Sequence, residues 1–165
     1  MRRVAHVLVL SLASAVSFAA EPLVPQHKAI DDDGTLTLPL QVGNVEITRN
    51  TVDGTGLFVQ AGGGHEVMLE SAHLPLLLKT DRNSALIALN TGDADCPRRF
   101  AWVTYDTKGL RTSGSFGTCA PDGEATFERA ETGPVVTMRN RQYSGKTVSY
   151  RYNEATAELS RVMMQ

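Results

Sequence analysis

Apolar residues recur at every second position along most of this chain, and that period decides what it can fold into. Leu36, Leu38 and Leu40 alternate with Thr37 and Pro39, Val45 and Ile47 with Glu46 and Thr48, and Val67 and Leu69 with Glu66 and Glu70. Val148, Tyr150 and Tyr152 share one face of Thr147–Tyr152. A period of two is that of a half-buried strand, and 3.6 would mark a helix. Leu57–Val59 and Val135–Met138 are further strands, and Leu86–Leu89, apolar on both faces, reads as a central one.

Turn residues punctuate these runs at Gly43-Asn44, Asp53-Gly54, Gly62-Gly63-Gly64, Gly92-Asp93, Lys108-Gly109, Asp122-Gly123 and Ser144-Gly145. Spacings near 8–12 residues with no intervening amphipathic helix predict an antiparallel all-β domain, a sandwich or an open barrel-like meander. No internal repeat or low-complexity tract is evident. Asn153–Gln165 fits either a helix capped by Asn153 or a turn at Glu154–Thr156 followed by a strand over Ala157–Val162. The strand is favoured because it pairs back on Thr147–Tyr152.

Residues 1–19 read as a signal peptide. Arg2 and Arg3 form a positive n-region, Val4–Val16 an apolar h-region, and Ser17 and Ala19 the small residues before a cut at Ala20. The apolar run is too short to span a bilayer, and no later run is longer. Residues 20–34 read as an extended arm, because Pro22 and Pro25 disfavour helix. Residues 35–165 form the β-domain. Without Arg2 and Arg3 the chain carries 14 basic and 18 acidic residues, a net charge of -4, which argues against nucleic acid as a partner.

Cys96 and Cys119 are the only cysteines. The runs Arg98–Tyr105 and Leu110–Thr118 read as a hairpin. With Thr107-Lys108 as its loop, opposed positions sum to 215, as the two cysteines do. Opposed residues are close enough for a disulfide, and an exported protein keeps one. A three-residue loop with Gly109 left-handed moves the register by one, and a bulge at Gly114 or Gly117 then restores it. In either register Phe100 and Trp102 share a face. Arg98 shares that face too and, across the hairpin, so do Arg111 and Ser115, while Val103, Tyr105, Leu110 and Phe116 lie on the other. Trp102 reads as core, with a partly covered recognition face as the alternative.

Signals for catalysis and metal binding are weak. Ser113-Gly114-Ser115-Phe116-Gly117 lacks the first glycine and the strand–turn–helix setting of a nucleophile elbow. His27, His65 and His73 have no ligand spacing, and Asp31-Asp32-Asp33-Gly34 has Val42 where a calcium loop needs its glutamate. Gly62-Gly63-Gly64 lacks the lysine and helix of a phosphate loop. No metal and no cofactor is expected.

The candidate interaction residues are Gly62, Gly63, Gly64 and His65 at one hairpin tip, and Arg139, Arg141 and Tyr143, which with Arg151 make a basic-aromatic group suited to an acidic partner. The expectation is a monomeric, non-catalytic binding domain of a bacterial cell envelope, periplasmic or secreted, with a protein or envelope component as partner. The alternatives are an immunity or inhibitor protein against an exported enzyme, and a hydrolase assembled from distant residues such as His65, Glu66 and Asp95.

Overall fold

A computed structural model of the chain describes residues 19–23, 34–50, 56–69, 74–119, 124–140 and 146–164. The proposed signal peptide, apart from Ala19, and most of the proposed arm lie outside the described residues. Among the described residues there are thirteen strands and no α-helix.

The strands form three antiparallel meanders that follow one another along the chain. The first contains β2 (Leu36–Pro39), β3 (Asn44–Arg49), β4 (Leu57–Ala61) and β5 (His65–Leu69). The second contains β6 (Leu76–Asp81), β7 (Ser84–Asn90), β8 (Arg98–Asp106) and β9 (Gly109–Thr112). The third contains β10 (Ala125–Ala130), β11 (Gly133–Arg139), β12 (Thr147–Asn153) and β13 (Glu158–Met164). The C-terminal segment is thus a strand, paired with β12 from Asn153↔Glu158 to Thr147↔Met164.

The second sheet lies between the other two. One of its faces contributes Leu78, Leu86, Ala88, Phe100, Trp102 and Phe116 to a core shared with the third sheet. The opposite face contributes Leu77, Ala85, Ile87, Leu89, Ala101 and Val103 to a second core shared with the first. This explains why Leu86–Leu89 is apolar without alternation: a strand covered on both faces has no polar side to present. The fold is a sandwich extended by one layer, and in the outer sheets β3 and β12 keep a polar face outward.

A short strand extends the third sheet beyond β10. β1 (Glu21–Pro22) pairs with β10 through Glu21↔Phe127 and Pro22↔Thr126. Leu23, 2% exposed, enters the core beside Phe127. Its amide donates to Ala125 O at 3.0 Å. Glu21 also pairs with Lys79 of β6 at 2.5 Å.

Cys96 and Cys119 are bonded, with Cα atoms 4.6 Å apart, at the open end of the β8–β9 hairpin. The loop is the two-residue Thr107-Lys108. Asp106 pairs with Gly109, whose φ of 102° suits glycine, and Asp106 Oδ1 accepts from Lys108 N at 2.8 Å. Positions sum to 215 as far as Val103↔Thr112, but the next bridge is Phe100↔Phe116. One extra residue therefore lies between Thr112 and Phe116. Ser113 accommodates it: its amide donates to Trp102 O at 2.9 Å, and its hydroxyl accepts from Trp102 N at 2.9 Å in place of a carbonyl. The bulge corrects one expectation. Phe116 changes sides and packs with Phe100 and Trp102, not with Val103.

Candidate interaction surfaces

In a meander successive turns alternate between the two ends of a sheet, and stacking brings equivalent ends together. One end holds the turns near residues 41–43, 62–64, 82–83, 107–108, 131–132 and 154–157. Bonds that cross between layers there include Gln41 N to Arg82 O at 3.1 Å, Tyr105 OH to Gly62 O at 3.0 Å, and Arg111 Nη2 to Glu154 O at 2.9 Å. The opposite end holds the Cys96–Cys119 disulfide, and Thr118 Oγ1 donates to Arg139 O there at 2.5 Å.

This arrangement separates the two candidate groups. Gly62, Gly63 and Gly64 are exposed at the tip between β4 and β5, and His65 opens β5 opposite Ala61. Positive φ values of 84° and 81° at Gly63 and Gly64 explain the choice of glycine. Arg139 closes β11 at the other end, with its side chain 66% exposed and Nη1 4.0 Å from Glu124 Oε1. The length of β8 between the two ends is about 25 Å at the usual strand rise. A ligand touching both groups must span the domain. Arg141 and Tyr143 lie outside the described residues.

Trp102 offers no recognition face. It is fully buried, stacked on Tyr152 with ring centroids 5.3 Å apart, and lies 6.2 Å from Phe127. Ser113 is 2% exposed and occupied by the bulge, and Ser115 lies in an irregular stretch before the Phe116 bridge. Asp95 is part of a turn in which Asp93 Oδ1 accepts from its amide at 2.8 Å. Glu66 accepts from Gln60 Nε2 at 3.1 Å. Among the described residues, no three His, Cys, Asp or Glu side chains converge as metal ligands.

A polar network joins the second and third sheets near the tight-turn end. Ser84, Thr104 and Tyr152 form a chain of hydroxyls with steps of 2.8 Å, and Ser84 donates to Glu154 Oε1 at 3.0 Å. Arg129 bridges Asp81 and Glu154, the latter at 2.8 Å. Arg111 grips Asp106 with both ends of its fork, at 2.8 and 2.7 Å. The Arg111 hydrogen bonds outweigh burial and hold the Asp106 carboxyl at about 2. The same bond raises Arg111. Burial opposes the charge on Arg129, but Glu154 and Asp81 outweigh it and raise its pKa. Burial raises the Tyr152 phenol. Each of these carboxylates already faces a guanidinium, and Ser84 is fully buried. The network binds sheet to sheet rather than presenting a nucleophile and base to solvent. Its members are scattered from Asp81 to Glu154, so no local motif announces it.

A cleft of about 660 Å³ runs beside the start of β13. Its walls include Gly114 and Ser115 of the bulge, Thr132, Arg151, Glu158 and Leu159. Among the described residues, the Arg151 side chain makes no hydrogen bond or ion pair. Comparison with known proteins finds no matching family model, no matching curated protein and no matching solved structure.

Proposed function

We propose that this chain is an exported, monomeric, non-catalytic β-domain of a bacterial cell envelope, periplasmic or secreted, that binds a protein or another envelope component. The observation that carries this reading is the use made of the polar groups. Ser84, Ser113, Asp81, Asp106 and Glu154 are committed to bonds within the scaffold, whereas Gly62–Gly64 and Arg139 stand out at its two ends. A rigid sheet scaffold with exposed loop groups is the usual layout of a binding module. The apolar leader with Arg2 and Arg3, together with the disulfide, supports export.

The test is in-cell crosslinking from positions 63 and 139, followed by affinity capture of the exported protein and mass spectrometry. One stoichiometric partner crosslinked from either position is the expected result. A partner that is itself a lytic or toxic enzyme, inhibited on binding, selects the immunity or inhibitor reading. Absence of any crosslink, together with hydrolysis of an envelope polymer by the pure protein, overturns the binding reading.

A further inference from the structure

From the edges of the three sheets we infer that β13 is a docking strand, which takes up an extended segment of a partner protein by strand addition. This rests on the binding reading and names its mode. An unpaired edge recruits strands, and proteins ordinarily blunt such edges with shortness, proline, bulges or cover. Five of the six edges here are treated in that way. β1 has two residues and ends in Pro22, and β2 has four and ends in Pro39. β6 is bulged between Leu77 and Lys79, β9 stops after four residues at the Ser113 bulge, and β5 lies alongside β9.

Among the described residues β13 has no shortness, proline, bulge or cover, and its one guard of another kind is Arg161, an inward-pointing charge opposite Tyr150. The strand runs seven residues without proline or glycine, in unbroken register with β12 and with no other strand among the described residues. It also exposes apolar surface: Val162 is 53% and Met163 49% accessible.

The surroundings specify the occupant. Leu159 packs against the core on the inner side of β13, and the cleft at the start of the strand is walled by Leu159 and Gly114 and also by Arg151, Glu158 and Ser160 of the outer side. A β-carbon built on Gly114 meets nothing within 4 Å. A residue of an added strand on the inner side has room for an apolar side chain. On the outer side Ser160 stands opposite Arg151 of β12. Ser160 is small, and Arg151 lines the cleft with no carboxylate partner among the described residues, which leaves its charge for a residue of an added strand. The fitting segment is extended, about as long as β13, apolar at alternate positions, and acidic opposite Ser160. A second copy of β13 fits poorly, because full antiparallel overlap of Glu158–Met164 sets Arg161 against Arg161.

The probe is a blocked synthetic peptide of alternating valine and threonine, with aspartate at the central threonine position, added to the full exported protein. Its control carries N-methylated amides along the edge that bonds β13. The expected result is slowed amide exchange at Leu159–Met163, no such effect from the control, and binding weakened about tenfold by Met163→Lys and by Arg151→Ala. Exchange rates along Val148–Tyr152 in each variant report whether the sheet has stayed intact. If a variant disturbs it, the control peptide against the unaltered protein decides. Protection at another strand, equal binding of the control, no binding, or covering of β13 by dimerisation each overturns the proposal. A partner crosslinked from position 63 or 139 without protection of β13 overturns strand addition alone and leaves the binding reading standing.

Discussion

Trp102 lies flat on Tyr152, with ring centroids 5.3 Å apart and planes 5° from parallel, and so ties the middle sheet to the third across their shared core. The side chain is fully buried, and its indole N–H has no hydrogen-bond partner among the described residues. Its contribution is therefore volume and contact. Trp102→Ala should cost roughly 3–5 kcal/mol by opening an aromatic cavity, and Trp102→Phe distinctly less. Urea titration read by far-ultraviolet circular dichroism measures both. Equal stability of Trp102→Ala and the parent would contradict this packing.

The Asp106–Arg111 pair predicts acid sensitivity. The folded carboxyl titrates at about 2 instead of 3.8, mainly because Arg111 donates to it. A depressed acid stabilises the fold above its unfolded pKa, and the contribution disappears as pH falls through its folded pKa. Stability should therefore decline between about pH 4 and pH 2, with at most about 2 kcal/mol from this carboxyl. Asp106→Asn should lower stability at neutral pH and shrink that decline. Denaturation midpoints at a series of pH values decide, and an Asp106→Asn curve parallel to the parent's would count against the assignment.

The disulfide closes a separation of 23 residues. Chain-entropy reasoning assigns about 3 kcal/mol to a loop of that length. Cys96→Ala with Cys119→Ala should lower the melting temperature yet keep the β-type spectrum, because the β8–β9 register is set independently by Thr104↔Arg111 and the Ser113 bulge. Loss of all β signal in the double variant at low temperature would show that the bond is required for the fold itself.

The legible part of this fold was the part written in alternation. Leu36–Leu40, Val45–Ile47 and Val148–Tyr152 point their apolar residues where period two puts them, and the two cysteines meet at the open end of one hairpin, although the bulge leaves them one residue out of its register there. Phe116 shows where that logic stops. One inserted residue reverses a face, and its cause, a serine hydroxyl replacing a carbonyl, leaves no periodic trace. The three stacked meanders carry no sequence repeat, since each layer needs only alternation and turns. Arg129, Asp81 and Glu154 converge from three separate strands and turns, a long-range juxtaposition that spacing does not encode. Of the interaction residues, the Gly62–Gly64 tip was readable as a turn, whereas the open edge at β13 depends on which strands pair.

Two glycines give the sharpest test of the backbone. Gly133 starts β11 with φ of 127°, and a β-carbon there comes within 2.3 Å of Tyr152 O. That oxygen belongs to the backbone of β12, so relief requires the two strands to move apart at the point where Tyr152 supports Trp102. Gly114 lies in the bulge, and a β-carbon on it meets nothing within 4 Å. Gly133→Ala should cost at least the 1–3 kcal/mol, roughly, of one strained residue, and should perturb the near-ultraviolet signal of Trp102. Gly114→Ala should leave both within about 0.5 kcal/mol of the parent. The paired comparison is informative because the chemical change is identical at both sites. If Gly133→Ala is as well tolerated as Gly114→Ala, the close approach of β11 to the Tyr152 carbonyl is wrong.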